Sequence, residues 1–508
     1  MIKNLETPAK ILLVVLLIYC PFFLHLGDLP LRIWDEARLV ANALEMQKDG
    51  NYMVTHYNGQ PDMWNTKPPL MIWSQVFFIN LMGNQEISFR MPSAVAGMLT
   101  CLLILLISWR YLKSYWFGLI AIMILITTNG YIGDHVARTG DYDAMLTLFT
   151  TLSSLGLFLW TENGKSKFIH WFFIGLLLGV LTKSIQALMF LPAIGLYLLF
   201  TRQLISLLKN KWFYIDLMAF ILIVAAYYLA RESANSGYLE AVRLNELGGR
   251  FLTTIENHKH GFTYYLNLLY HEQFTTWIIF FFTGIFFAFT FPAGAFRRLT
   301  LFSSLLSVVY LLLISLSSTK LAWYTAPLYP LLAIVSAMGI YRLYLLVTEI
   351  HIGVITKQSA QVFGVLMLLM FFFFPYYNTI DKVYKPREAS VGAEYNTLSH
   401  YLQETVKGKH NLDGFKVCHD GYTGHLEYYV NKLNSMGVKI TFNDPLSLQT
   451  GDKVIFNWES VLKTIESHYD FTVLDSYYNV KVIRIDGLKT NRTGSITENL
   501  LSAPGTTK

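Results

Sequence analysis

Residues 34–50 read WDEARLVANALEMQKDG, and what precedes them gives the stretch its meaning. An apolar run from Ile11 to Leu26 is long enough to enter a bilayer, and Asp35, Glu36 and Arg38 follow shortly after it. Within the stretch, Leu39, Val40, Ala43 and Leu44 recur at helical spacing, the acidic pair complements a helix N-terminus, and Gly50 suits a stop. Such a helix is too polar to cross hydrocarbon. It belongs on the membrane surface, with Trp34 as an interfacial anchor. Charges placed there need a reason, and the rest of the chain supplies it.

Of the 508 residues, 53% are hydrophobic and 15% charged, where a soluble protein carries roughly a quarter charged. The deficit is concentrated in apolar runs near 9–26, 91–109, 115–133, 143–160, 168–182, 185–201, 212–230, 274–292, 300–317, 322–345 and 359–377. These predict a mostly α, polytopic membrane protein with a bundle of about 11 transmembrane helices, 11–13 fitting the runs. The first run ends at Cys20-Pro21-Phe22-Phe23 without a cleavage pattern and reads as a retained span. Cys20, Cys101 and Cys418 lie far apart, two of them in apolar runs, which supports neither a disulfide framework nor a cysteine metal site. The net charge of +6 belongs to cytoplasmic loops rather than to nucleic-acid binding.

Basic residues set the orientation. Lys3 and Lys10, Arg110 and Lys113, Lys165 and Lys167, Arg202 to Lys211, Arg297 and Arg298, and Arg342 and Lys357 all fall on the N-terminal side. That side is expected to be cytoplasmic, in a multi-pass protein of the cytoplasmic (inner) membrane. The periplasmic or outer face then receives loop 27–90, the turn 134–142, Lys183, loop 231–273, the turn at Lys320 and everything after 378.

Three domains follow. Residues 1–378 form the membrane domain, whose first outer loop, 27–90, carries two juxtamembrane helices: the one opening at Asp35, and a second starting at Lys67-Pro68-Pro69 and running to Gly83. Residues 379–489 read as a small soluble α/β domain. Its strands are expected at 415–418, 438–442, 453–457, 471–474 and 480–485, and its helices at 424–435 and 459–468. Residues 490–508 are polar and expected to be disordered.

Asp35, Glu36, Arg38, Lys67, Arg138, Asp141, Asp143, Lys183, His258, His260 and Lys320 all map to one face. Each has an ordinary reading alone. The acidic pair can serve a helix end, Arg138 and Asp143 can pair, Lys183 and Lys320 can reach toward headgroups, and the histidines can be solvated. Together they suit one chemistry. Lysine and arginine hold a phosphate, a carboxylate takes a proton from an attacking hydroxyl, and cations stabilise the leaving phosphate where charge develops.

The segment DEARLVANALEMQKDGNYMVTHYNGQPDMWNTKPPLMIW resembles the first outer loop of the ArnT-like and protein O-mannosyltransferase group, membrane glycosyltransferases of the GT-C fold. RTGDYDAMLTLF resembles their second acidic motif, with Asp143 at the matching carboxylate. HKHGFTYY matches an H-x-x-P-F-x-Y-Y loop at His258, Tyr264 and Tyr265, with Gly261 in place of proline. STKLAWYTAPLYP matches a further motif at Lys320, Tyr324, Pro327 and Pro330, with Ala322 in place of proline.

The resemblance, over roughly residues 10–345, implies transfer of a sugar from a polyprenyl (undecaprenyl)-phosphate donor to an envelope glycolipid such as lipid A, a glycan or a protein, by inverting displacement. Asp35 is the implied base, with Asp143 and Glu36 as further catalytic carboxylates. Lys67, Arg38 and Lys320 would hold the donor phosphate, while Tyr324, His258, Tyr265, Arg138 and Lys183 would line the cavity. Leu39 and Thr66 depart from the pattern, Thr66 standing where aminoarabinose transferases have Glu. No cofactor is required; the alternative is a divalent metal with His258 as a ligand. Two alternative functions remain: an oligosaccharyltransferase or polymer ligase with a diphosphate-linked donor, and a transporter or flippase of lipid-linked sugars.

Overall fold

A computed structural model describes residues 2–133, 135–249, 258–290, 292–349, 356–386 and 393–489. The polar tail expected from residue 490 lies outside the described residues. The chain divides into two compact units, 1–29 with 38–387, and 30–37 with 388–508.

The first unit is helical. It opens with α1 (Ile2–Phe23), α2 (Asp35–Asp49, whose first turn groups with the second unit), α3 (Leu70–Met82), α4 (Glu86–Arg110) and α5 (Tyr115–Ile126). Next come the single turn α6 (Asn129–Ile132), α7 (Asp143–Asn163) and α8 (Lys167–Lys183). α2 stops before Gly50, whose φ of 68° no β-carbon-bearing residue adopts easily. α3 begins directly after Lys67-Pro68-Pro69, since proline tolerates the end but not the interior of a helix.

Each of the eleven apolar runs forms a helix, but the helices differ in reach. Among the described residues seven are long and apolar enough to cross a membrane: α4, α7, Lys167–Leu188, Lys211–Ala234, Ala295–Leu316, Ala322–Thr348 and Gln358–Tyr384. Tyr264–Gln273 and Ile278–Thr290 meet the test only as a pair bent by 109°, an eighth span if counted as one. α5 and Leu191–Phe200 have 12 and 10 residues. At about 1.5 Å per residue neither covers a hydrocarbon core of about 30 Å. The protein is multi-pass, and the count of eleven does not follow from helix length.

The hairpin of α7 and α8 sets the geometry that matters most. α7 ends at Gly164, in the left-handed region at φ 65°, and the chain reverses through Lys165 and Ser166. The two helices then pack almost backbone to backbone. A β-carbon built on Gly175 would lie 2.6 Å from the Ser153 amide nitrogen, and one on Gly156 2.9 Å from that of Phe172. Small residues permit this approach, the usual way helices associate where hydrophobic burial gives no drive. Their register brings the start of α7 beside the end of α8.

The second unit carries a five-stranded mixed sheet. Its strands are β3 (Phe415–Val417), β4 (Ile440–Phe442), β5 (Lys453–Phe456), β6 (Tyr469–Tyr477) and β7 (Val480–Leu488), in the order β4-β3-β5-β7-β6; β1 (His56–Tyr57) and β2 (Gln60–Pro61) form a hairpin in the first unit. β3 pairs parallel with both β4 and β5, while β7 is antiparallel to β5 and β6. Helices Gly424–Ser435 and Glu459–His468 cross over after β3 and β5, and Val454, Phe456, Val461, Ile465 and Ile483 build a core under the second.

Candidate active site

Two groups of buried charges in the first unit are matched, each on a different pair of elements. Asp143 opens α7 and Lys183 closes α8; the Lys183 ammonium donates to both carboxylate oxygens, at 2.6 and 2.7 Å, with both side chains buried. Two ions removed from water must be paired, because either alone is costly.

Two residues before Asp143, Asp141 accepts from the His135 imidazole at 2.7 Å, and His135 stacks on Trp323 with ring centres 3.7 Å apart. Burial works to raise the Asp141 carboxyl pKa. The hydrogen bond and charge of His135, the charge of Lys183 and the Tyr142 amide outweigh it and hold the group below its ordinary 3.8.

A second set hangs on α2. Arg38 donates to Asp62 through Nε at 2.7 Å and Nη2 at 2.8 Å, with its guanidinium 3.7 Å from the centre of the Tyr57 ring. Asp62 also takes the Asn42 amide at 3.0 Å, Asn42 takes Asn65 at 2.8 Å, and Asn65 takes the Tyr142 hydroxyl at 2.9 Å. Against the burial that would raise it, the bonds from Arg38, Asn65 and Asn42 keep the Asp62 pKa below the usual carboxylate value. This polar chain runs from α2 to the residue before Asp143.

Lys67 stands 5.4 Å from the Tyr142 ring centre and 3.8 Å from Glu246 Oε1. Glu246 also accepts from the Thr66 hydroxyl at 3.2 Å. A carboxylate therefore does stand beside position 66, delivered by a remote segment. The Tyr238 hydroxyl donates to the Thr66 carbonyl at 2.7 Å and fixes that turn.

Lys320 differs from all of these. It lies in the connection Ser317–Leu321, only 6% exposed, and its ammonium donates to the Ser317 carbonyl at 2.6 Å. Among the described residues no carboxylate is within ion-pair distance of it. Burial pulls its pKa below the ordinary 10.5. The Lys320 amide donates to the His258 carbonyl at 3.0 Å, and the Tyr265 hydroxyl to the Leu321 carbonyl at 3.2 Å. Tyr324, in the 3-10 turn that follows, places its ring 5.9 Å from the Lys183 ammonium. The motifs at 258–265 and 320–330 thus meet, and Tyr324 links them to the α7–α8 pair.

Other expected site residues have local tasks. Arg138 donates to the Pro21 and Leu24 carbonyls at 2.9 and 2.8 Å, closing the C-terminal end of α1 rather than pairing with Asp143. Glu36 accepts from the Arg32 amide at 2.9 Å, and Asp35 begins α2. Asp62, His135 and Glu246 were not singled out by sequence. The first hides behind an Asn-Gly-x-Pro turn, and the last lies in a segment with no motif. His135 and Asp141 offer the donor types a divalent ion takes.

Comparison with known proteins agrees with the resemblance read from the motifs. Residues 66–230 match the dolichyl-phosphate-mannose-protein mannosyltransferase family model. A protein of Aquifex aeolicus (strain VF5) described as uncharacterized is 29% identical over 216 residues, 42% of each chain. The putative mannosyltransferase YycA of Bacillus subtilis (strain 168) is 30% identical over 145 residues, 28% of this chain and 20% of that one. The match spans less than half the length of these curated relatives. Among solved structures, ArnT from Cupriavidus metallidurans bound to undecaprenyl phosphate superposes with a TM-score of 0.68, at 14% identity, over 93% of this chain and 97% of that one. The Archaeoglobus fulgidus oligosaccharyltransferase in its apo form gives 0.53 at 12% identity, over 91% and 73%. The fold is of the GT-C type.

Proposed function

We propose that this chain is an integral-membrane glycosyltransferase that moves a sugar from a polyprenyl-phosphate carrier to an envelope acceptor: a lipid A-type glycolipid, a glycan or a protein. The observation that carries the reading is Lys320, a buried ammonium whose partner among the described residues is a carbonyl, set in the same segment as Tyr324. Such a cation is stabilised by an anion arriving from outside the protein. The phosphate of a lipid carrier is that anion, and it also carries the sugar. The family match over 66–230 and the GT-C fold support the same class.

In this reading the acceptor hydroxyl oxygen attacks the anomeric carbon. The bond from that carbon to the phosphate oxygen breaks, its electron pair leaves with the phosphate, and the hydroxyl proton passes to Asp35. Lys320 and Lys67 take up the charge that develops on the leaving oxygen. Arg38, already matched by Asp62, orients the first turn of α2. Asp143 and Glu36 hold their neighbours in place, Asp143 through Lys183. No step in this reading uses a metal. Loop 27–90 and the α/β unit face the periplasm; a cysteine at Asn51, in a chain lacking its native cysteines, should react with an impermeant thiol reagent in intact spheroplasts.

The direct test is turnover of an undecaprenyl-phosphate-linked sugar by purified chain. Asp35→Asn should keep the fold and lose about 10²–10⁴-fold in rate, the usual worth of a positioned base. Wild-type turnover in that variant would rule out the base.

A further inference from the structure

The α/β unit has a feature that the transferase reading leaves unused. β3 lies between β4 and β5 and runs parallel to both. After β3 the chain crosses through Gly424–Ser435 to β4 on one side, and after β5 it leaves through Glu459–His468 toward the other. Between β3 and β5 the connections therefore diverge. In open α/β sheets this switch point, at the carboxyl ends of the strands, is where a crevice opens and ligands bind. The structure has such a crevice there, of about 600 Å³, lined by the residues that follow β3, β4 and the start of the second helix.

Its lining defines the ligand. Asp420 follows β3, Glu427 is in the first turn of the crossover helix, and Asn443 and Asp444 follow β4. The wall carries hydroxyls from Thr423, Ser460 and Thr464 and no lysine or arginine. Asp420 Oδ2 accepts from the Ser460 hydroxyl at 2.9 Å, and Glu427 Oε1 from that of Thr423 at 2.6 Å, so the acids bridge the parts of the wall. Phe442, at the edge, keeps 37% of its surface open. Phosphates and anionic lipids are repelled by three carboxylates without a cation among them. A metal ion is not favoured either: among the described residues, no three His, Cys, Asp or Glu ligand atoms within this unit lie within 4.8 Å of one another. Carboxylate and amide acceptors beside an open aromatic face fit adjacent hydroxyl donors on a ring with an apolar side.

We infer that this crevice is a binding site for a neutral saccharide, separate from the chemistry of the first unit. The test uses the full chain in a sugar-free detergent, with mannotriose and chitotriose as probes and saturation-transfer NMR as the readout. At least one probe should give a saturable signal. Phe442→Ser should weaken it about tenfold, as should Asp420→Asn, which keeps the side-chain shape but loses the charged acceptor. Lys320→Met should leave it intact. No saturable signal with either probe overturns the inference. So does a signal that survives both crevice variants, or one lost with Lys320→Met, since the sugar then sits elsewhere.

Discussion

The α7–α8 hairpin and the connection at Ser317–Leu321 each bury a lysine, and they treat its charge in opposite ways. Lys183 is 3% exposed and Lys320 6%. Lys183 has both oxygens of Asp143 within 2.7 Å, and the hairpin that brings them together is locked by Gly156 and Gly175. Lys320 has the Ser317 carbonyl, a dipole in place of an ion. The first is a matched ion pair. The second holds a cation at a cost, and that cost is relieved when an anion binds. Similar burial of the same side chain therefore serves architecture in one region and leaves charge for a ligand in the other.

The largest effect that can break this contrast is on stability. Lys183→Met leaves the Asp143 carboxylate buried without its partner and should cost about 3–5 kcal/mol, read from unfolding titrations in detergent. Asp143→Asn in the same chain should recover part of the loss. Lys320→Met removes a charge that no carboxylate among the described residues matches, and should change stability by less than about 1 kcal/mol. Equal losses in the two methionine variants would mean that Lys320 is structural as well.

Next in size is the response to the anion. Undecaprenyl phosphate at about a hundred times its Kd should stabilise the wild-type chain by roughly 2.7 kcal/mol, the mass-action value for a ligand that binds only the folded state. Lys320→Met should lose most of that gain, whereas Lys320→Arg, which keeps the charge, should retain some. An undiminished gain in Lys320→Met would place the phosphate elsewhere, with Lys67 the next candidate.

What the sequence made legible divides along the same line. Helices and strands were readable because their signals are local: apolar runs, the Pro68-Pro69 start of α3, Gly50 after α2, and short strand-like runs at β3–β7. Span number was less so, because a run can be apolar yet break early, as where α5 stops at Ile126 after 12 residues. The residue types of the site were readable as motifs, but their partners were not. Asp143 meets a lysine 40 positions away, set by the close approach of two glycines. Arg138 closes a helix end more than a hundred positions earlier. Glu246 arrives 180 positions after Thr66. Such contacts are products of packing register, which no local pattern encodes.

The smallest effect probes a carboxylate beside the Lys183–Asp143 pair. Asp141 is buried, which alone would favour its protonated form, yet His135, Lys183 and the Tyr142 amide hold its pKa below 3.8. A depressed folded-state pKa means the unfolded chain takes up the proton first as pH falls. The stability that ionised Asp141 contributes is therefore complete above the unfolded value near 3.8 and is lost as pH drops through the folded one. Asp141→Asn keeps an acceptor for His135 but removes the charge, so it should cost about 1 kcal/mol near neutral pH. In melting scans from neutral to acid, the gap between wild type and variant should narrow once pH passes below the ordinary aspartate range. A gap that widens on acidification would show that burial prevails, that Asp141 is protonated in the folded protein, and that the matched set is smaller than drawn.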